Sequence, residues 1–266
     1  MLLVGGTVMK TSVLSKILAN EQISSDIYRI RLERTEEMGE IEPGQFFQVK
    51  PKEGEEFFLR RPISICLAES DEIHLVIRKS GKGTKVLCSK KAGEYLDLLG
   101  PLGNGFTLDE KNQKVTLVGG GIGVAPLLEL ARRLQGMQVK ILLGYRRDPY
   151  LIEDFQRFGK EVLVAVDEGD KGYRGYVTDL LEKEIEKEQP DLIYACGPEV
   201  MLKKVQLLGK QYQLETQLAL EERMACGVGA CLVCSCKVKA EENGWHFVRT
   251  CKEGPVFSGK EVIFGE

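Results

Sequence analysis

The sequence predicts a multidomain β plus α/β chain in three parts. These are an N-terminal antiparallel β-barrel (1–111), a central α/β domain built on a parallel sheet (112–215) and a small cysteine-rich C-terminal domain (216–266). Three observations predict this. Short alternating apolar runs punctuated by Gly and Pro fill the first hundred residues. From Val115 onward, apolar strand-like runs alternate with helical patterns, as a parallel sheet covered by helices requires. Five of the eight cysteines then crowd into the last 41 residues.

Taken in order, Ile27–Leu32 and Ile73–Arg78 alternate clearly and Phe46–Val49 loosely. Turns are marked by Pro43-Gly44, Pro51, Pro62, Gly81, Gly83, Gly100-Pro101 and Gly103. A short helix over Thr84–Ser89, opening after Gly83 and closing at Gly93, interrupts the barrel. The texture changes at Lys111–Lys114. Val115–Val118 reads as a strand, Gly119–Gly123 as a turn, and Ala125–Leu134 as a helix with Pro126 in its first turn. Strands follow over Val139–Tyr145, Glu161–Val166 and Asp191–Cys196, with a helix opening at Val177.

Composition excludes several functions. Lys and Arg number 37 against 40 Asp and Glu, a net charge of −3, so nothing draws the chain to nucleic acid or to an anionic membrane. No apolar run reaches the roughly 18 residues of a membrane span. Two histidines, His74 and His246, leave no material for a multi-histidine metal site. Met1–Val8 lacks the cationic start of a secretion signal, so a cytoplasmic chain with reduced or metal-bound thiols is expected. Residues 1–8 read as a flexible extension ahead of a second plausible start at Met9-Lys10.

Cys226-x4-Cys231-x2-Cys234, followed by Cys251, has the spacing of a plant-type [2Fe–2S] ligand set. Gly227 and Gly229, with Ala225 and Ala230, remove side chains where such a loop must close, and their amides can bond to cluster sulfurs. A zinc knot stays open, although zinc favours two paired hooks, as do plain reduced cysteines. Cys236, on a strand expected over Leu232–Val238, shares a face with Cys234. It is either a substitute ligand or a small core residue. Cys66 and Cys88 are expected to be ordinary buried thiols.

Two segments suit phosphate. Arg61, at a strand end, offers bidentate charge. Gly83 and Thr84, opening a helix, offer backbone N–H groups and a hydroxyl to the same anion. Gly119-Gly120-Gly121-Ile122-Gly123-Val124-Ala125-Pro126, between strand and helix, is a second phosphate turn. A solvated arginine and simple turns are the plainer readings. Arg146-Arg147-Asp148 and Asp167-Glu168 carry signals for both NAD and its 2′-phosphorylated form, and the sequence does not decide between them.

Arg61-Pro62-Ile63-Ser64 and Gly83-Thr84 resemble the R-x-Y-[ST] and G-x-x-[ST] flavin motifs of the ferredoxin–NADP reductase superfamily, with Ile63 where an aromatic usually stands. Gly119–Pro126 resembles its G-G-G-x-G-x-[AT]-P, Cys196–Met201 its C-G-P-x-x-[ML], and Gly175–Thr178 its G-x-V-T. The resemblance implies FAD between barrel and nucleotide domain, on Arg61, Pro62, Ile63, Ser64, Val76, Ile77, Arg78, Gly83 and Thr84, with Ser64 donating towards the flavin N5. It implies NAD(H) on Gly119, Gly120, Gly121, Gly123, Cys196, Gly197 and Pro198.

From about residue 10 to 266 the chain is similar to electron-transfer subunits of NAD-dependent, type B dihydroorotate dehydrogenase. The similarity is carried by Leu59–Ile65, Gly119–Pro126 and Glu221–Cys234. That implies a [2Fe–2S] cluster on Cys226, Cys231, Cys234 and Cys251 and a partner catalytic subunit holding FMN in a TIM barrel. Two copies of each subunit would form a heterotetramer. Electrons would run from dihydroorotate through FMN, [2Fe–2S] and FAD to NAD+ in pyrimidine synthesis, and the chain alone would act as an NADH diaphorase. It would carry no catalytic residue for an organic substrate, and Glu221-Glu222-Arg223 would be a solvated turn or a partner contact. Two alternatives remain: a homologous subunit of another complex (NADH-dependent ferredoxin:NADP oxidoreductase, or sulfide or sulfite reductase), and a non-catalytic redox sensor.

Overall fold

The computed structural model describes residues 3–4, 7–8, 12–52, 54–109, 111, 113–158, 161–240 and 244–265. Leu3–Val4 pairs antiparallel with Thr7–Val8, and the second start expected at Met9-Lys10 lies outside the described residues.

Six antiparallel strands close the barrel in the order Ser12–Gln22, Ile27–Glu33, Glu72–Arg78, Arg61–Ala68, Phe46–Lys50, Tyr95–Leu102. Ile17, Ile30, Leu32, Phe47, Val49, Ile65, Leu75 and Leu98 fill its interior. The loose alternation of Phe46–Val49 has a structural cause. Phe47 and Val49 point into the barrel, while Phe46 and Gln48 point outward yet are buried too. A strand covered on both faces has no need to alternate.

The helix beside the barrel runs over Lys82–Ser89, so Gly83 and Thr84 are its second and third residues rather than its entrance. It ends at Lys90, before Gly93, because Lys90 is extended there.

The parallel sheet has the order Tyr173–Arg174, Glu161–Val166, Gln138–Tyr145, Lys114–Gly120, Leu192–Cys196, Glu215–Ala219. Helices Pro126–Arg133, Val177–Lys187 and Glu199–Gln211 bury Leu127, Leu130, Leu181, Leu202, Val205 and Leu208 against it. Glu215–Ala219 crosses the boundary expected at 215/216. The cysteine-rich segment adds Val256–Ser258 to it as an antiparallel seventh strand. Residue 112, where the other boundary was expected, lies outside the described residues.

The rest of the C-terminal part is a three-stranded sheet, Trp245–Arg249, Ser235–Lys239, Val262–Ile263. Its first expected residues are not strand, because Leu232 has φ +60° and holds a turn up to Cys234. Barrel and parallel sheet are joined through fully buried Glu129. It accepts from the Ala68 N–H (3.1 Å), from Arg132 Nε (2.9 Å) and from Arg133 Nε (2.9 Å). A second tie runs from Arg29 to Asp154 (2.5 and 3.0 Å). No helix among the described residues is long and apolar enough to cross a membrane.

Candidate functional site

Arg61 opens the strand Arg61–Ala68. Its guanidinium donates to the carbonyls of Leu59 (2.6 Å) and Arg60 (3.2 Å) and lies across Gly83, where an added Cβ would stand 2.5 Å from Nε. Only glycine lets the guanidinium reach the first turn of the helix Lys82–Ser89. Charge and unpaired helix amides therefore sit together, as an anion requires. The Thr84 hydroxyl is part of the same helix entrance. It accepts from the N–H groups of Ser80 and Gly81 (3.0 Å each) and donates to the Gly81 carbonyl, so it caps the helix. Arg60, next in chain to Arg61, is tied to Asp97 (2.6 Å) and is a structural residue.

Between the two domains lies a cleft of about 440 Å³. Pro62, Ile63, Ser64, Val76, Ile77, Arg78 and Thr84 line it from the barrel; Gly120, Gly121, Gly123, Cys196, Gly197 and Pro198 line it from the parallel sheet. Arg61 and Gly83 stand beside it. Gly119 is set back: a Cβ there would meet Val124 Cα at 3.0 Å, so its role is to let the turn close.

The opposite wall is made of backbone. A Cβ on Gly123 would sit 2.5 Å from the Cys196 carbonyl oxygen, and one on Gly120 would sit 2.5 Å from Met201 Sδ and 3.1 Å from Pro198 Cδ. The glycine turn and the Cys196-Gly197-Pro198 turn therefore pack main chain to main chain. Gly121 takes φ +57° and its carbonyl accepts from the Tyr150 hydroxyl (2.7 Å). Burial pushes the Cys196 thiol up to about 12, so it stays protonated at neutral pH. Of the residues that carry ribose signals, Arg146 (3.0 Å) and Arg147 both pair with Glu168. These cradles, which a side chain would fill, fit a dinucleotide lying flat on the main chain.

The cysteine loop turns through Gly227 (φ +73°) and Gly229 (φ +83°), and its amides point at sulfur. Val228 and Ala230 donate to Cys226 Sγ (3.4 and 3.3 Å), Gly229 to Cys251 Sγ (3.2 Å), and the Cys251 N–H to Cys234 Sγ (3.5 Å). The thiols fall into two contacting pairs, Cys226 with Cys231 and Cys251 with Cys234. Among the described residues no three of their sulfurs lie within 4.8 Å of one another. Two irons need two pairs, whereas one tetrahedral zinc needs four sulfurs close together. Burial pushes the Cys226 thiol up, but the N–H groups of Val228, Cys231 and Ala230 outweigh it and hold the thiol down at about 6. Burial, then Cys234, push Cys251 up to about 12.

Cys236 stands outside both pairs, opposite Val248 in the ladder and packed on the buried cluster of Val238, Phe257 and Val262. Cys66 and Cys88 are buried, and burial raises both thiols. Glu221 and Glu222 border the cleft, with the Glu222 carboxyl raised by burial and by Glu199.

Some residues gave no sequence signal. Arg249 donates to the Gly229 carbonyl (3.0 Å) and is gripped by Glu253, strapping the cysteine loop. Gln48 lies under Gly227. Both depend on contacts between distant segments.

Comparisons with known proteins agree with this geometry. An oxidoreductase FAD-binding domain matches residues 15–107, an oxidoreductase NAD-binding domain 117–207, and the iron-sulfur cluster binding domain of dihydroorotate dehydrogenase B 221–263. The dihydroorotate dehydrogenase B (NAD(+)) electron transfer subunit of Caldanaerobacter subterraneus subsp. tengcongensis is 39% identical over 256 residues, covering 96% of this chain and all (100%) of the relative. That of Clostridium perfringens is 37% identical over 253 residues, 94% of this chain and 97% of the relative. Among solved structures, that of an NADH-dependent reduced ferredoxin-NADP oxidoreductase superposes with TM-score 0.80 at 28% identity, covering 98% of this chain and 91% of the other. The cytochrome b5 reductase domain of Ulva prolifera nitrate reductase shares the fold alone, with TM-score 0.59, 17% identity, and 73% and 89% coverage. With FAD-, NAD- and iron–sulfur-binding domains in this order, the chain is an oxidoreductase subunit and belongs to the family of dihydroorotate dehydrogenase B (NAD(+)) electron transfer subunits.

Proposed function

We propose that the chain passes electrons from the FMN of a dihydroorotate dehydrogenase catalytic subunit through its [2Fe–2S] cluster and FAD to NAD+, in pyrimidine synthesis. The observation that carries this is the docking of the cysteine loop on the barrel strand Phe46–Lys50. Cys234 and Cys251 pack against Phe46 there, and the neighbouring strand carries Arg61–Ser64. Bound flavin supplies the conversion between a two-electron hydride carrier and a one-electron cluster.

The chain's own residues position these groups. Arg61, Gly83 and the first helix amides would neutralise the flavin pyrophosphate. Pro62, Ile63, Ser64, Val76, Ile77 and Arg78 would line the flavin, and Thr84 would hold the helix entrance in shape. The turns at Gly119–Gly123 and Cys196–Pro198 would hold the nicotinamide dinucleotide, with Cys196 as a neutral thiol beside it. Cys226 and Cys231 would bind one iron and Cys234 and Cys251 the other. The cofactors divide over residues 1–111, 112–215 and 216–266.

The complex is a cytoplasmic heterotetramer of two copies of each subunit. Neither membrane nor nucleic acid takes part. The test is reconstitution. The purified chain should oxidise NADH with an artificial acceptor, and adding the FMN subunit should let dihydroorotate reduce NAD+. A chain that reduces ferredoxin and NADP instead, with no response to dihydroorotate, contradicts the proposal.

A further inference from the structure

On the strand Phe46–Lys50, the outward residues of an isolated barrel would meet water. Here they meet the cysteine loop. Phe46 packs with Cys234 and Cys251. Gln48, two residues on and on the same face, lies against Gly227, where an added Cβ would stand 2.5 Å from its Cγ and 2.8 Å from its Nε2. Gln48 is fully buried at 0% exposure, yet neither Nε2 nor Oε1 has a hydrogen-bond partner among the described residues. Either orientation of the amide leaves a donor and an acceptor bare, and each keeps its desolvation cost. Leu or Met would fill the same volume without that cost. Buried polar groups have partners as a rule, so an amide held here points to an acceptor that joins it.

We infer that the Gln48 side-chain amide donates a hydrogen bond to a sulfur of the iron–sulfur group held by the cysteine loop, and so raises the reduction potential of that group. The inference rests on the function proposed above. The loop supplies its own donors to Cys226 and Cys251 from Val228, Ala230 and Gly229. Gln48 is a donor from the barrel. Its ladder partner is Pro62, in the flavin segment, and its carbonyl accepts from Arg60 (3.2 Å). It thus stands between the two redox sites and acts on the iron–sulfur group directly. A donor to sulfur favours the reduced, more negative form of the group. Gly227 is glycine at this point both for its φ of +73° and because a Cβ would push the amide away.

The test uses full-length wild type, Q48L and Q48E, loaded anaerobically with iron and sulfide and titrated potentiometrically with EPR detection. Q48L should lower the ratio of reduced to oxidised cluster about tenfold at a fixed poise, about 59 mV for one electron, and should shift the g-values. Q48E, which keeps the shape and replaces the donor by an acceptor once its carboxyl is ionised, should then shift the potential further in the same direction. In wild type, an exchangeable proton coupled to the reduced cluster should appear by ENDOR and be lost in both variants. A Q48L cluster with wild-type potential and spectrum overturns the inference. If Q48L does not take up iron, a wild-type potential in Q48E that holds up to alkaline pH, where the carboxyl is ionised, overturns it equally. Wild-type protein that binds no iron at all overturns the proposed function and this inference with it; a cluster indifferent to Gln48 overturns the inference alone.

Discussion

At residue scale, the site depends on positions where a methyl group cannot be added. Gly83→Ala would push Arg61 off the helix turn. FAD affinity is expected to fall at least tenfold, as for Arg61→Ala, with the fold retained; flavin release on gel filtration measures it. Gly123→Ala would drive a methyl into the Cys196 carbonyl. It should cost about 1–3 kcal/mol of stability and raise the KM for NADH, leaving the cluster spectrum unchanged. Cys231→Ser should abolish the cluster's visible absorption while FAD stays bound. Cys236→Ala should keep both, since Cys236 packs on Val238, Phe257 and Val262. Residue types with a spacing rule were legible in the sequence: the four cysteines, the glycine turn, Arg61 with Gly83. Which atom faces which was not. The sequence offers the Thr84 hydroxyl to an anion and gives no sign that it also caps a helix beginning at Lys82.

At the scale of elements, alternation and punctuation located the barrel strands and the parallel strands because each has one periodic apolar face. They failed where tertiary contacts set the pattern. Glu215–Ala219 has too little apolar length to announce itself and is a strand because Leu192–Cys196 and Val256–Ser258 flank it. The charged joint at Glu129 lies on the helix Pro126–Arg133, whose other buried residues are apolar. Glu129→Ala leaves the Ala68 N–H and two guanidinium groups without their acceptor, so it should destabilise by about 3 kcal/mol in denaturant unfolding. The strap over the cysteine loop gives a pH dependence. Hydrogen bonding from Arg249 holds the Glu253 carboxyl at about 2, below its ordinary 4.5. A depressed carboxyl contributes stability above its unfolded pKa and loses it as pH falls through the folded one. Cluster retention should therefore be constant above about pH 5 and fall between 4.5 and 2. Glu253→Gln should lose cluster more readily at neutral pH and show a flatter acid limb.

At the scale of the whole molecule, one continuous contact surface links three binding regions. The cysteine loop sits on the barrel, the barrel faces the glycine turns across the cleft, and Val256–Ser258 returns from the cysteine-rich part into the parallel sheet. The order of these parts was legible in the sequence. Their mutual docking was not, because the contacts that make it, Gln48 on Gly227 and Glu129 on Ala68, join residues far apart in the chain. The direct test of the account is anaerobic mixing of dihydroorotate with the reconstituted complex while NADH absorbance is followed in the presence of NAD+. NADH should form only when this chain is present and should stop forming with the Cys231→Ser chain. NADH formation that is unchanged with Cys231→Ser, or none with the intact chain fully loaded, would contradict it.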